Sequence, residues 1–251
     1  MKYIKAFLMA FSMFCAIPCP YRPWDEEARP LMSAFLAPVG LVIGCLWALV
    51  AYLGKLIDIP VFLLGAVIAF YPYCVTGFLH LDGFIDTVDA VLSHRDRENR
   101  LKILKDSHVG AFGVISVCIL LIVAFASGAT LCGKNFDCKA LIAIPICTRA
   151  SAAFAISQFK PLAHSQYSGK YHSGVSISIK CVMISELALA LALSFILSGA
   201  LGLCCALTAA VFYALFLFRA GHNLGGVSGD LSGYALTLGE IAGLIVLAIF
   251  S

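Results

Sequence analysis

Charge is what this sequence has least of. Only 12% of its 251 residues are Asp, Glu, Lys or Arg, where a soluble domain carries about 25%. No low-complexity linker divides the chain, and no stretch is polar enough to be a soluble domain. One class is left. With 61% hydrophobic residues and a mean hydropathy of +0.97, the chain reads as an all-α polytopic membrane protein, a single transmembrane catalytic unit over 1–251. A net charge of +3 is too mild for a nucleic-acid partner. The eleven cysteines include no C-x-x-C pair, which argues against a structural zinc site. Most lie in apolar runs as small hydrophobes. Cys132 and Cys138 flank a short loop and are placed to bond if it meets an oxidising compartment. No internal repeat stands out, which argues against many transporter folds.

A spanning helix needs about 20 apolar residues. Candidate spans cover roughly 31–54, 59–80, 110–132, 140–158, 181–199, 201–219 and 234–251, so six to seven transmembrane helices are expected. The fourth is the weakest, because Arg149 sits near its middle. Residues 1–30 read as an interfacial or re-entrant segment, with Tyr21 and Trp24 near the headgroups. Thirteen of the seventeen Lys and Arg fall in the N-terminal segment and the even-numbered connections, three in the odd ones. The positive-inside rule then puts the N-terminus and the long connections 80–109, 159–180 and 220–233 in the cytoplasm. The expected location is the cell (cytoplasmic) membrane, with the active site facing inward and lipid all around. A homo-oligomer suits so short and apolar a chain.

Within this apolar background, "HLDGFIDTVDAVL" at 80–92 brings His80, Asp82, Asp86 and Asp89 together. At about 100° per residue the three carboxylates fall at roughly 0°, 40° and −20° around a helix, in one stripe. Like charges so spaced repel by a few tenths of a kcal/mol, so something positive is expected beside them. Helix capping by Asp82 explains one of the three. A proton or cation path in an ion-coupled transporter is a second reading. A divalent metal site is a third, since Mg²⁺ takes carboxylate oxygens and shares them with substrate phosphates. The basic run after it, from Arg95 to Lys105, suits a phosphate-bearing ligand. It also suits simple topological anchoring beside anionic lipid. A second polar island, 221–240, carries Asn223, Gly225, Gly226, Asp230 and Glu240 and reads as a further site wall. Arg149, costly inside a span, is expected to pair with a carboxylate or a ligand phosphate.

These islands resemble one family. "HLDGFIDTVDAV" is similar to the HLDGxxDTxDG signature of cobalamin synthases, the adenosylcobinamide-GDP ribazoletransferases. "KDSHVGAFG" at 105–113, "TRASAAF" at 148–154 and "LGGVSGDLSGYALTLGE" at 224–240 look like further family motifs, in the same order. The resemblance implies a membrane enzyme that joins adenosylcobinamide-GDP to α-ribazole or its 5′-phosphate with release of GMP, using Mg²⁺. It implies metal ligation by Asp82, Asp86 and Asp89, with Asp106 as a further ligand or a supporting carboxylate. Lys105 and Arg149 would neutralise phosphate oxygens. His80 would act as general base or orient Asp82, and Asp230 would bind metal, ribose or guanine. The chain departs from the pattern at Ala16, where a basic residue is expected, at Ala90, at Tyr234 and in the 160–175 loop. His164, His172 and His222 are weaker candidates for meeting cobalt. A CDP-alcohol-type phosphotransferase stays as an alternative, although its downstream D-x-x-x-D is missing.

Overall fold

The computed structural model describes residues 2–163, 165 and 175–251; His164 and His172 lie outside them. They form helices α1 (Lys2–Phe14), α2 (Leu36–Leu56, preceded by a 3-10 turn at Arg29–Phe35), α3 (Val61–Val75), α4 (Leu79–Leu92) and α5 (Arg97–Ile103). Then come α6 (Ala111–Cys132), α7 (Ala140–Gln158), α8 (Ile177–Leu224) and α9 (Gly229–Phe250). Among the described residues five helical segments, with Ile177–Leu224 counted as one, are long and apolar enough to cross a membrane, or six if α3 and α4 count as one broken span. The protein is therefore multi-pass.

Helix α8 is itself two arms. Ser198 and Gly199 leave helical geometry, Gly199 at φ +61°. A Cβ on Gly202 would run into the Ser194 carbonyl, although eight residues of straight helix span about 12 Å. The chain has doubled back, which gives the two spans expected at 181–199 and 201–219.

Pro72 sits inside α3, and the break comes after it, between Val75 and Leu79. Proline has no N–H, so the Ile68 carbonyl loses its helical donor; Trp47 Nε1 takes it instead, at 3.0 Å. Gly77 and Phe78 then both adopt left-handed backbone (φ +61° and +62°), and α4 leaves at 86° to α3. It runs across the end of the bundle rather than continuing the span expected at 59–80. The 80–109 connection is accordingly mostly helical, as α4 and α5.

Helix α7 is the hub. Of its most apolar stretch 94% is buried inside the protein, against 28% for α6 and 33% for α8. Protein surrounds it, so it tolerates Arg149 and many small residues, which made it the weakest span by hydropathy.

Hydrogen bonds sort the connections by end. At one end Lys55 reaches the Phe136 carbonyl (2.8 Å), Ser198 reaches Asp137 (3.3 Å) and Lys134 reaches the Ala248 carbonyl (2.8 Å). At the other, Arg97 Nε donates to the Leu224 carbonyl (2.8 Å), and Val227 N and Leu162 N exchange bonds with the carbonyls of Lys160 and Val227 (2.9 Å each). The described parts of the long polar connections meet at this second end. Cys132 and Cys138, near the first, are free thiols.

Candidate active site

Helix α4 presents its carboxylates in graded exposure: Asp82 exposed, Asp86 half-buried, Asp89 buried. The single stripe holds, but the three do different work. Asp89 accepts from Gly110 N (2.7 Å) and Gly113 N (2.8 Å), one bond per oxygen. It caps α6 from another helix, satisfying N–H groups that a helix start leaves bare. Asp82 caps nothing, because α4 already begins at Leu79. In Asp89's place beside the stripe stands Asp230, from the first turn of α9. Asp82, Asp230 and Asp89 all act electrostatically on Asp86. Gly83 allows this approach: a Cβ there would lie 2.7 Å from the Asp230 carbonyl oxygen.

Asp106 does not join the cluster. Its carboxylate accepts from His108 N (3.0 Å) and lies 2.6 Å from His108 Nδ1. The His108 ring bond, then its backbone bond, hold the Asp106 carboxyl below the usual range. His80 does not orient Asp82 either. Two residues apart on a helix, they face opposite ways. The His80 ring stacks on Phe14 at 6.4 Å, and its carbonyl accepts from Thr237 (3.2 Å).

His80 faces a cavity of about 640 Å³ that opens among the long connections. Helix α7 lines it with Arg149, Ala152 and Ile156, and α9 with Asp230, Gly233 and Leu236. The first set steps by three and four residues and the second by three and three, one helix face apiece. Arg97, Lys105 and Lys160 add positive charge, and Gly225 completes the rim. Gly225 has φ +82° and sits flush against the Arg97 guanidinium, where any Cβ would collide. Gly226 lets the α8–α9 turn press on Lys160–Leu162. Asn223 is half-buried at the end of α8 but is not on the cavity wall, and His222 is exposed.

Arg149 and Glu240 form a buried ion pair, each about 95% or more buried. Of the two partners expected for Arg149, the structure supplies the carboxylate. Sequence reasoning left Arg97 and Lys160 out of the site. Arg97 was visible only as part of a basic run that topology also explains, and Lys160 enters through a loop pairing that no local pattern signals.

The chain can be compared with known proteins on this basis. The family model for cobalamin-5-phosphate synthase matches residues 6–248. An adenosylcobinamide-GDP ribazoletransferase of Clostridium perfringens (strain 13 / Type A) is 38% identical over 247 residues, 98% of each chain. Relatives with that same description in Clostridium botulinum (strain Alaska E43 / Type E3) and Brevibacillus brevis are 37% and 34% identical, each covering at least 97% of both chains. No solved structure matches. With the match running through every motif of the site and nearly the whole length, this chain belongs to the cobalamin-5-phosphate synthase family.

Proposed function

We propose that this protein is a membrane transferase that joins adenosylcobinamide-GDP to α-ribazole or its 5′-phosphate. The products are adenosylcobalamin or its 5′-phosphate, and GMP. The observation that carries this reading is the meeting, at Asp230, of an acidic stripe with a cavity that Arg97, Lys105 and Lys160 make basic. A diphosphate needs both: carboxylates for a metal ion, and cations for the remaining charge. The ribazole hydroxyl oxygen attacks the phosphorus nearer the cobinamide. Its proton passes to His80, the imidazole on the cavity wall, and the bond to GMP breaks with GMP keeping the electrons. Arg97, held by the Leu224 carbonyl, and Lys105 neutralise non-bridging oxygens.

Mg²⁺ fits the donor set. Asp82, Asp86 and Asp230 offer only oxygen, and among the described residues none of them is paired with Lys or Arg. No three acidic, His or Cys side chains among those residues converge to hold an ion alone, so an ion held there would complete its coordination with water and substrate phosphates. Bound there, Mg²⁺ would supply charge neutralisation to the diphosphate. The Lys and Arg distribution supports a cytoplasm-facing site in the cell membrane. The carboxylates sit at the end of the bundle, where an ion-coupled transporter would need them at mid-depth.

The test is GMP release by purified protein given adenosylcobinamide-GDP and α-ribazole, with and without EDTA. Release that depends on both substrates and stops with EDTA is expected. No release with either ribazole form would reject the reading.

A further inference from the structure

One hydroxyl on the cavity wall has a proton that the fold leaves unused. Tyr213 on α8 is 0% exposed, and among the described residues its hydroxyl meets one partner, Ser232 Oγ on α9, at 3.0 Å. Either oxygen can donate in such a pair, and burial decides which one does. If Ser232 donated, the phenol O–H would be shut inside the protein without an acceptor, at the full cost of desolvating it. Tyr213 therefore donates and Ser232 accepts, which leaves the Ser232 O–H over. Ser151 and Ser194 turn their protons back on the carbonyl four residues earlier, at 2.8 and 2.7 Å, the usual outlet for a serine within a helix. Ser232 Oγ makes no such bond among the described residues, its one partner being Tyr213.

The place of Ser232 on α9 says where that proton goes. Ser232 shares with Gly229, Gly233 and Leu236 the helix face that lines the cavity. The two glycines beside it have no side chains to cover the hydroxyl. A helical side chain also leans back toward the helix start, here the turn that carries Asp230. Unlike Tyr213, Ser232 keeps 6% of its surface exposed. Asp230 lies two residues earlier, about 3 Å along the helix axis. Gly233, the next residue, packs on His80, so closely that a Cβ there would lie 3.1 Å from the His80 Cα. Ser232 thus stands between the carboxylate side and the imidazole side of the cavity. On the function proposed above, that is where the acceptor hydroxyl and the phosphorus meet. A donor directed at the attacking oxygen would withdraw the electrons it needs. One directed at a phosphoryl oxygen strengthens as charge builds there.

We propose that Ser232 is a catalytic residue: its O–H, turned outward by Tyr213, donates to a non-bridging oxygen of the phosphoryl group under attack. Tyr213 is a positioning residue that acts through it. The choice of substrate rests on the transferase reading, and one set of assays separates the two. GMP release by full-length protein in lipid nanodiscs is measured over a range of adenosylcobinamide-GDP, together with the thermal melt of each variant. Ser232→Ala should lower kcat about a hundredfold, the scale for one transition-state donor, with little change in KM or in the melt. Ser232→Thr keeps the hydroxyl and should recover most of the rate. Tyr213→Phe lets the Ser232 proton turn back on the Ser228 carbonyl and should also slow turnover, yet cost nothing more once Ser232 is replaced by alanine. A purely packing role would give an earlier melt and costs that add in the double variant. A folded Ser232→Ala whose kcat stays within about twofold of the unsubstituted protein overturns the inference, as does a loss confined to KM or a double variant in which the two losses add. Ser232→Cys, close in shape and a weaker donor, gives the same comparison should the alanine variant not fold. Turnover by the unsubstituted protein that Ser232→Ala leaves intact overturns this inference alone. No GMP release by the unsubstituted protein with either ribazole form overturns the transferase reading and this inference with it.

Discussion

Asp86 and Asp89 lie three residues apart on α4 and are held in opposite ways. Asp89 spends both oxygens on the N–H groups of Gly110 and Gly113, while Asp86 faces other carboxylates. The same substitution should therefore do different things to each. Asp86→Asn should cut GMP release by about a hundred- to a thousandfold, the scale for removing charge from a transition-state site, and leave the melting temperature unchanged. Asp89→Asn puts an amide N–H against a backbone N–H. It should lower stability by about 1–3 kcal/mol, read as an earlier thermal melt, with the EDTA dependence of residual activity retained. Gly225→Ala gives a third contrast. At φ +82° and flush against Arg97, a methyl group adds about 1–2 kcal/mol of backbone strain and displaces the guanidinium. GMP release should fall while helix content by circular dichroism stays the same.

Two helices, α7 and α9, carry the site between them, and their Arg149–Glu240 pair fixes how they face each other. Removing one partner of a buried pair leaves an uncompensated charge and costs about 3–5 kcal/mol, whereas replacing both by apolar side chains is often close to neutral. Thermal melts should show Arg149→Met and Glu240→Met each destabilising, and the double variant less so than either. Costs that simply add in the double variant would mean that the two do not act as a pair. Helix α4 shows how an element's direction makes a site. The left-handed Gly77–Phe78 step turns it across the bundle end. Without that turn its carboxylates would sit at a helix end, away from α9.

For the whole molecule, the described parts of the connections after α3, α7 and α8 meet at one end, joined by Arg97–Leu224 and by the Lys160–Leu162 pairing with Val227. That is the end the charge distribution assigns to the cytoplasm. A cysteine at position 94 and another at 135 should react with a membrane-impermeant maleimide from opposite sides, position 94 only after the cytoplasmic face is opened. Labelling of position 94 in intact cells would reverse the orientation and move the active site outside.

Composition alone determined that the chain crosses the membrane several times, because so little charge leaves no soluble alternative. Spacing alone put Asp82, Asp86 and Asp89 on one face, because a helix repeats every 3.6 residues. Tertiary structure decided what each of those groups does. Asp89 became a cap because the α6 N-terminus arrived beside it, and Asp106 stayed apart because its own turn satisfied it. Asp230 reached the stripe because Gly83 left room for its backbone. Arg149 found Glu240 from ninety-one residues away, a pairing that no local pattern encodes. Helix period and hydropathy are properties of neighbours in sequence. The partner of a buried charge is set by which helices pack together, and that is settled only when the chain has folded.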